Sequence, residues 1–513
     1  MMNEIVKMNR LPQELSTVRE IVEKKVPENV LSGIRSYLKT EIMPSRKLSR
    51  EESLEKGKTL RKQVKRSSHA GWTVTGERTE PLKILEEQEK DRVQELLPIR
   101  HERMKESAFA YYRGTAAVMT EDLAKTPTTG ILVQACGDAH IGNFGVFGTG
   151  EKRLVFDIND FDESYPGPWE WDVKRLATSV EICGRYRGFS EEDRVRAVKS
   201  ALNGYHTAMD TFSQMGTMEM WYAHLDVEEM QNRLNSELSK DTNRMIDKVR
   251  AEAVTKNSFR AVHKWTENVD GQLRFRSIPP ILVPLRDMTF ESVEPEKFER
   301  FMKFSMEQYR MSLPREMRRM IDQYTPVDIA RKVVGVGSVG MRSFITVMQG
   351  NSDNDPLVLQ FKEAGPSVLA PYVQLGKDGE YIYTGKKMPL SGLQQNGRRV
   401  VQSQKMIQTA GDILLGWMRV PDMSGRARDF YVRQLWNNKG SIDLDAIKPD
   451  GLVWLAETCG WTLAHAHART GDRHAIAGYL GKGSKFEDAV AEFAEAYADQ
   501  NEADYQTYLN HTN

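Results

Sequence analysis

The sequence predicts a mixed α+β fold in which a helical block is followed by a β-rich block and then by further helices. Three observations predict it. Residues 103–124, most of 190–256, 296–323 and the chain from about 448 onward have helical texture, with apolar residues spaced along one face. Between about 330 and 440 the texture becomes alternating and β-branched. There RKVVGVGSVGMRSFITVMQG and PLVLQFKEA, separated by the turn-forming NSDND, read as a hairpin. Two short strand-like runs, Ile131 to Val133 and Arg153 to Ile158, flank a Gly-Asp turn inside the first block.

In chain order, 1–100 reads as a polar, helix-prone extension, 101–325 as a large helical block and 326–445 as a smaller β-rich block. Residues 446–513 read as helices that pack back on the large block. Ser45 to Arg66 carries nine basic and three acidic residues without interleaved aromatics, the pattern of a solvated helical surface or arm rather than of a base-stacking patch. RMKESAFAYYRGTAAVMTEDLA reads as one helix with an apolar face, and WEWDVKRLATSVEICGRYR opens another. Trp169 and Trp171, beside Pro166 and Pro168, read as packing beneath the acidic loop before them. RRVVQSQKMIQTAGDILLGWM gives a helix and then a strand, and FYVRQLW another strand. Phe486, Val490, Phe493 and Tyr497 form a core-facing helical stripe.

The 513 residues are 40% hydrophobic and 28% charged, ordinary for a globular chain with a sizeable core. Lys+Arg and Asp+Glu balance at 72 each, so no global field draws the protein to nucleic acid or acidic membranes, and neither partner is expected. Cys136, Cys183 and Cys459 are too scattered for a zinc site or disulfide framework and read as reduced, buried thiols. With no signal-like start and no apolar run of about 18 residues, the expected location is cytoplasmic, without a membrane span. Oligomeric state is left open.

The most informative stretch is CGDAHIGNFG. Asp138 and Asn143 lie five apart on a turn where Gly137 and Gly142 permit tight geometry, and RLVFDINDFDE then supplies Asp157, Asp160, Asp162 and Glu163. Carboxylates after a strand, near an Asp and an Asn, suit a hard divalent cation such as magnesium, which takes a few protein oxygens and completes its shell with phosphate. The arrangement resembles the catalytic loop and metal-binding Asp of kinase-like phosphotransferases, and GDxHxxN is similar to the aminoglycoside-phosphotransferase-like form, HGDxHxxN. The resemblance puts Asp138 on the catalytic base, His140 on the second His and Asn143 on the metal-binding Asn; Cys136 stands where that form has His. Asp160 is favoured as the metal-binding Asp because the helix-opening Asp172 follows it by twelve residues, whereas counting fourteen from Asn143 favours Asp157. Asp162 stays open as well. The bland reading of the cluster is capping and turn formation.

GVGSVG, with Gly335, Gly337, Ser338 and Gly340, lies between β-like runs and not before a helix, which favours a loop over nucleotide phosphates in the kinase manner. Lys362, isolated in an apolar strand, needs an anionic partner or solvent at its tip and suits a phosphate-contacting lysine. The helix expected at Arg398 to Trp417 offers Gln402, Gln404 and Gln408 but no early Glu, so Lys362 is expected either to lack its usual ion pair or to pair near Glu363 or with Asp412. The loop and lysine come about two hundred residues after the Asp138 loop, the reverse of the kinase order. The fold expected is therefore a circularly permuted, protein-kinase-like two-lobe fold whose blocks meet around one cleft.

RSSHAGW, PIRHERMKESAFAYYRG, CGDAHIGNFG, LVFDINDFDESYPGPWEWDVKRLA, VGVGSVGMRSF, QFKEA, FYVRQLW and HARTGD together resemble the bacterial domain-of-unknown-function 2252 family over about 60–475. The resemblance implies a kinase-like relationship and supplies no substrate. Two further features are weighed. Arg113 could reach a phosphate, although a salt bridge is preferred. His465, His467 and His474 lie near Asp472, but His465 and His467 do not share a helix face, so a structural role is expected. The function expected is an ATP- and magnesium-dependent phosphotransferase acting on a hydroxyl of a small molecule or protein. The alternatives are a nucleotide-binding pseudokinase or scaffold, and a nucleotidyl (AMP) transferase using the same site.

Overall fold

The structure, a computed structural model, describes residues 48–512 apart from 74–77, 152, 229–238, 270–271, 289–294, 334, 353–354, 376–380, 389–394, 423 and 436–438. Most of the N-terminal extension's first half, with Arg46 and Lys47, thus lies outside the described residues. Helices and several sheets make up a mixed α+β architecture.

The described chain opens with α1 (Arg50–Gln63), fixed by a capping box in which Ser49 and Glu52 satisfy each other's backbone N–H. Its basic side chains are not wholly solvated: Arg61 donates to the Gly478 carbonyl, and Arg66 caps the Leu480 carbonyl. The single helix expected over 103–124 is instead three: α2 (Leu97–Lys105), α3 (Ala108–Gly114) and α4 (Ala116–Leu123). Ser107 breaks the first junction by capping the Ala110 N–H at 3.0 Å, and the Thr115 hydroxyl turns back onto the Tyr111 and Tyr112 carbonyls at the second.

Four short strands follow: β1 (Leu132–Ala135), β2 (Phe144–Gly148), β3 (Leu154–Ile158) and β4 (Tyr165–Pro168). β1 pairs antiparallel with β4, and β2 with β3. The Gly-Asp loop leaves β1, and the acidic segment joins β3 to β4. α5 (Trp169–Tyr186) and α6 (Glu191–Gln214) then pack with α7 (Pro449–Thr470), α8 (Arg473–Leu480) and α9 (Lys485–Thr512) around the larger core. That core holds Trp169, Trp171, Phe486, Val490, Phe493 and Tyr497, as the stripes predict.

The β-rich block centres on a six-stranded antiparallel sheet. Its members in chain order are β5 (Leu282–Pro284), β6 (Thr325–Lys332), β7 (Ser343–Gln349), β8 (Pro356–Glu363), β9 (Gly416–Pro421) and β10 (Ala427–Gln434). The spatial order is β9-β10-β8-β7-β6-β5, with β7 and β8 forming the expected hairpin. Strand alternation decides where Lys362 goes. Leu357, Leu359 and Phe361 face one core with Tyr309 and Val432, which sends Gln360 and Lys362 to the opposite face. The helix expected to run to Trp417 ends earlier, at Asn396–Ile407. The chain is already extended at Gln408, and beyond it the Asp412 carboxylate accepts the backbone N–H groups of Leu414 and Gln434 and pins the turn into β9. Among the described residues no helix is long and apolar enough to cross a membrane, and the three cysteines are buried free thiols.

Candidate functional site

The Asp138 loop is built on α5. Asp172, in that helix's first turn, accepts the backbone N–H of Cys136 at 2.6 Å and of Gly137 at 3.0 Å. It also accepts from His467 Nε2 at 3.2 Å, which places the ring proton there, while the Tyr205 hydroxyl lies 2.8 Å from Nδ1. His467 is thus a structural link between α7 and the loop; His465 turns to the Met220 carbonyl. Gly137 has φ +75°, and a Cβ there would sit 2.4 Å from the Glu163 carbonyl oxygen, so the turn between the Asp138 loop and the acidic segment admits only glycine.

One turn along α5, Arg175 grips Asp138, with Nε at 2.8 Å and Nη2 at 2.7 Å from Oδ1. Arg175 is itself held over the Tyr112 ring and donates to the Tyr112 carbonyl at 2.9 Å. Burial raises the Asp138 pKa, and the Arg175 charge opposes that rise. His140 Nδ1 accepts the Gly142 N–H at 3.1 Å, leaving Nε2 3.9 Å from Asp138 Oδ2. Burial first, then the Arg113 and Arg175 charges, hold its pKa well below 6.5, so it is a neutral turn-former beside Asp138. Asn143 donates to the Asp138 carbonyl at 2.8 Å, which orients its amide within the same loop.

Lys362 comes from the other block. It is 3% exposed, forms an ion pair with Asp162 and lies 3.7 Å from Asp160. Burial alone would lower its pKa; the two carboxylates outweigh that and hold it charged. Burial would raise Asp160, but Lys362 and then Arg433 keep it below the ordinary carboxylate value. The expected partners of Lys362 are otherwise engaged: Glu363 binds Arg342 and Arg428, and Asp412 binds backbone. At the helix that carries no early Glu, Arg399 reaches the Ser164, Asp162 and Gly365 carbonyls, and Gln408 donates to the Ile158 carbonyl at 2.6 Å. That helix therefore positions the acidic segment through its backbone.

The GVGSVG turn is clamped by its carbonyls. Arg92 and Arg100 each donate to the Gly337 carbonyl at 2.9 Å, and Arg103 donates to that of Gly335. The Ser338 hydroxyl lies 3.5 Å from Asp162. Gly335 and Gly340 have φ +70° and +89°. A cleft of about 540 Å³ is lined by Asp138, His140, Asn143, Asp160, Asp162, Gly335, Gly337 and Ser338. Gly340 lies behind it against Arg92. Lys362 lines an adjoining recess of about 300 Å³ that shares Asp160, Gly335 and Ser338. Asp157 is set apart: it faces the Arg469 and His224 charges from β3, lines neither cavity, and burial pushes its pKa up to about 7.

Arg175 and Arg399 were not singled out in the sequence. The only signal for Arg175 was its place three residues after Asp172, one helical turn along the same face. Arg399 gave none, because its acceptors are backbone carbonyls.

The class these features define is a mixed α+β protein with a polar interblock cleft. The family described as "Uncharacterized protein conserved in bacteria (DUF2252)" matches residues 92–511, and the chain belongs to that family. No curated protein and no solved structure matches it.

Proposed function

We propose that this protein is a magnesium- and ATP-dependent transferase of the kinase-like type, with the two blocks as the lobes of a circularly permuted fold. The phosphotransfer acceptor is a hydroxyl of a small molecule or protein. The observation that carries the reading is the meeting of Lys362 with Asp160 and Asp162 beside the Asp138 loop and beneath the GVGSVG turn. Segments some two hundred residues apart in sequence converge on one cleft, as the permuted order requires.

Fit to magnesium rests on Asp162. Its Oδ1 is buried without a hydrogen-bond partner, an uncompensated acceptor that a cation would satisfy. Magnesium takes only one or two protein carboxylates and completes its shell with phosphate oxygens and water. Asp160, Asp162 and Asn143 would hold it, and when bound it would neutralise charge on the phosphates. Asp138 accepts the acceptor's hydroxyl proton, and Arg175 aims that carboxylate. Lys362 positions phosphate oxygens, exchanging part of its pairing with Asp162 for them. Titration calorimetry tests the reading: ATP binds with magnesium present and binding collapses in chelator. Equal affinity in both would refute the metal role. A nucleotidyl transfer at the same site is the second reading, favoured by the charge of the recess.

A further inference from the structure

The recess beside Lys362 differs in character from the cleft it adjoins. It is lined by Lys332, Lys362, Arg433 and Lys439, against the carboxylates of Asp160 and Asp412. Asp412 spends both oxygens on the Leu414 and Gln434 backbone N–H groups. A purine needs an apolar slot, and here the apolar lining reduces to Phe147 and Leu435. Gln360 lies two residues before Lys362, on the same face of β8, and opposite Arg433 across the ladder. Arg433 Nε donates to Gln360 Oε1 at 3.1 Å, so this pair occupies the floor on which a ring would have to lie. Burial and then the Arg433 charge push Lys439 down to about 7, a cation short of anionic company.

The cleft has the opposite composition. Eight carboxylates and three cationic side chains line it, together with the apolar Ile84, Val336, Met341, Pro371 and Tyr372. Away from the carboxylates that would hold magnesium, the remaining acids of the cleft repel a polyphosphate tail and the recess attracts it, whereas a nucleoside finds apolar surface in the cleft.

We propose that the recess is a polyphosphate pocket that takes the β- and γ-phosphates of a nucleoside triphosphate whose nucleoside end lies in the Asp138 cleft, so that the group transferred is the nucleotidyl group. This rests on the nucleotide-dependent reading above and fixes the polarity of the nucleotide. The acceptor hydroxyl oxygen bonds to the α-phosphorus and its proton passes to Asp138. The bond from the α-phosphorus to the oxygen bridging to the β-phosphate breaks. Pyrophosphate leaves with that electron pair, held by Arg433 and Lys439.

The test uses the full chain with magnesium. Calorimetry follows ATP, inorganic pyrophosphate and AMP on the parent and on Arg433→Gln and Lys439→Gln, with circular dichroism to verify folding. Chromatography identifies the products of ATP turnover, which the parent alone suffices to decide if a variant does not fold. Pyrophosphate is expected to compete with ATP. Each variant is expected to weaken ATP and pyrophosphate about tenfold, the loss of one charge-assisted contact, while AMP binding is unchanged. Turnover is expected to yield pyrophosphate, with the AMP moiety on the acceptor hydroxyl, or free as AMP where water takes the acceptor's place. ADP and phosphate as products, or AMP binding that falls in the variants, would overturn the proposal. ATP binding without competition from pyrophosphate overturns the polarity and leaves the nucleotide reading standing; a folded parent that binds no ATP overturns both.

Discussion

Replacing Asp172 by Asn tests what holds the Asp138 loop in place. The side chain is 1% exposed and receives three hydrogen bonds, from Cys136 N–H, Gly137 N–H and His467 Nε2–H. Asn is nearly isosteric, so packing is conserved and only acceptor capacity changes. Its oxygen can still accept the Gly137 N–H, while its amide group faces the Cys136 N–H and His467. His467 can answer by changing tautomer, since the Tyr205 hydroxyl can accept as well as donate. The Cys136 N–H cannot: it loses a charge-assisted bond and becomes a buried donor facing a donor. Such a change costs about 2–4 kcal/mol. Asp172→Ala, which strands all three donors, should cost more, about 4–5 kcal/mol. Urea denaturation followed by tryptophan fluorescence reads this directly, because Trp169 and Trp171 are buried within three residues of position 172. An Asn variant within about 0.5 kcal/mol of the parent, the range of ordinary surface changes, would refute this accounting, as would an Ala variant no worse than Asn.

Asp138→Asn should abolish turnover while leaving ATP affinity within about twofold, because a base acts on the acceptor and is not needed to hold the nucleotide; undiminished turnover would remove Asp138 from that role. Lys362→Met should weaken magnesium-ATP binding by about tenfold or more by calorimetry, since it removes the charge beside Asp160 and Asp162. Asp157→Asn should leave magnesium-ATP affinity unchanged, because Asp157 lines neither cavity. The same variant reports on pH. The folded pKa of Asp157 is raised from 3.8 to about 7, so its contribution to stability is present below 3.8 and is lost as pH rises to about 7. The parent's stability relative to the variant should fall by about 1.4 kcal/mol per pH unit across that window and level off above it, and a constant difference in urea melts at pH 5, 6 and 8 would exclude this titration.

Local patterns carried the elements well. The β7–β8 hairpin, β10, the helix opened by WEWDVKRLA and the C-terminal core stripe were legible because periodicity reflects which face is buried. Boundaries failed where a single polar side chain intervened: Ser107 and Thr115 divide one apolar periodicity into three helices. Those residues stop helices through backbone hydrogen bonds, and a Ser or Thr in an apolar run looks the same whether it caps or faces solvent. In the site, Asp138, Asn143, Asp160 and the GVGSVG turn were legible as types that bind ions or phosphates. The partner of Lys362 was not, because an ion pair is chosen by the fold: the nearest acids in sequence, Glu363 and Asp412, are consumed by Arg342, Arg428 and backbone N–H groups.

The segment before the helical block takes part in the cleft. Read as sequence, 1–100 is a polar, helix-prone extension, and only its basic run, Ser45 to Arg66, has a legible role, as a solvated surface or arm. In the structure the half-buried Arg92 and the buried Arg100 lie against the carbonyls of the GVGSVG turn, joined there by Arg103, and Arg92 also takes the Val339 carbonyl at 2.5 Å. Burial, then the neighbouring Arg100 charge, lowers the Arg92 pKa to about 9, a cost that only the carbonyls and the more distant Glu163, Glu89 and Glu363 charges offset. A glycine turn held this way cannot move as part of the six-stranded sheet alone. Because Arg100 also binds the Gly114 carbonyl at 3.0 Å, any motion of the turn is coupled to the helices that support Tyr112, and Tyr112 supports Arg175 beneath Asp138. The roof of the cleft and the carboxylate on its floor are thus tied through one run of residues, 92–114, which belongs to neither of the sequence motifs that announced the site.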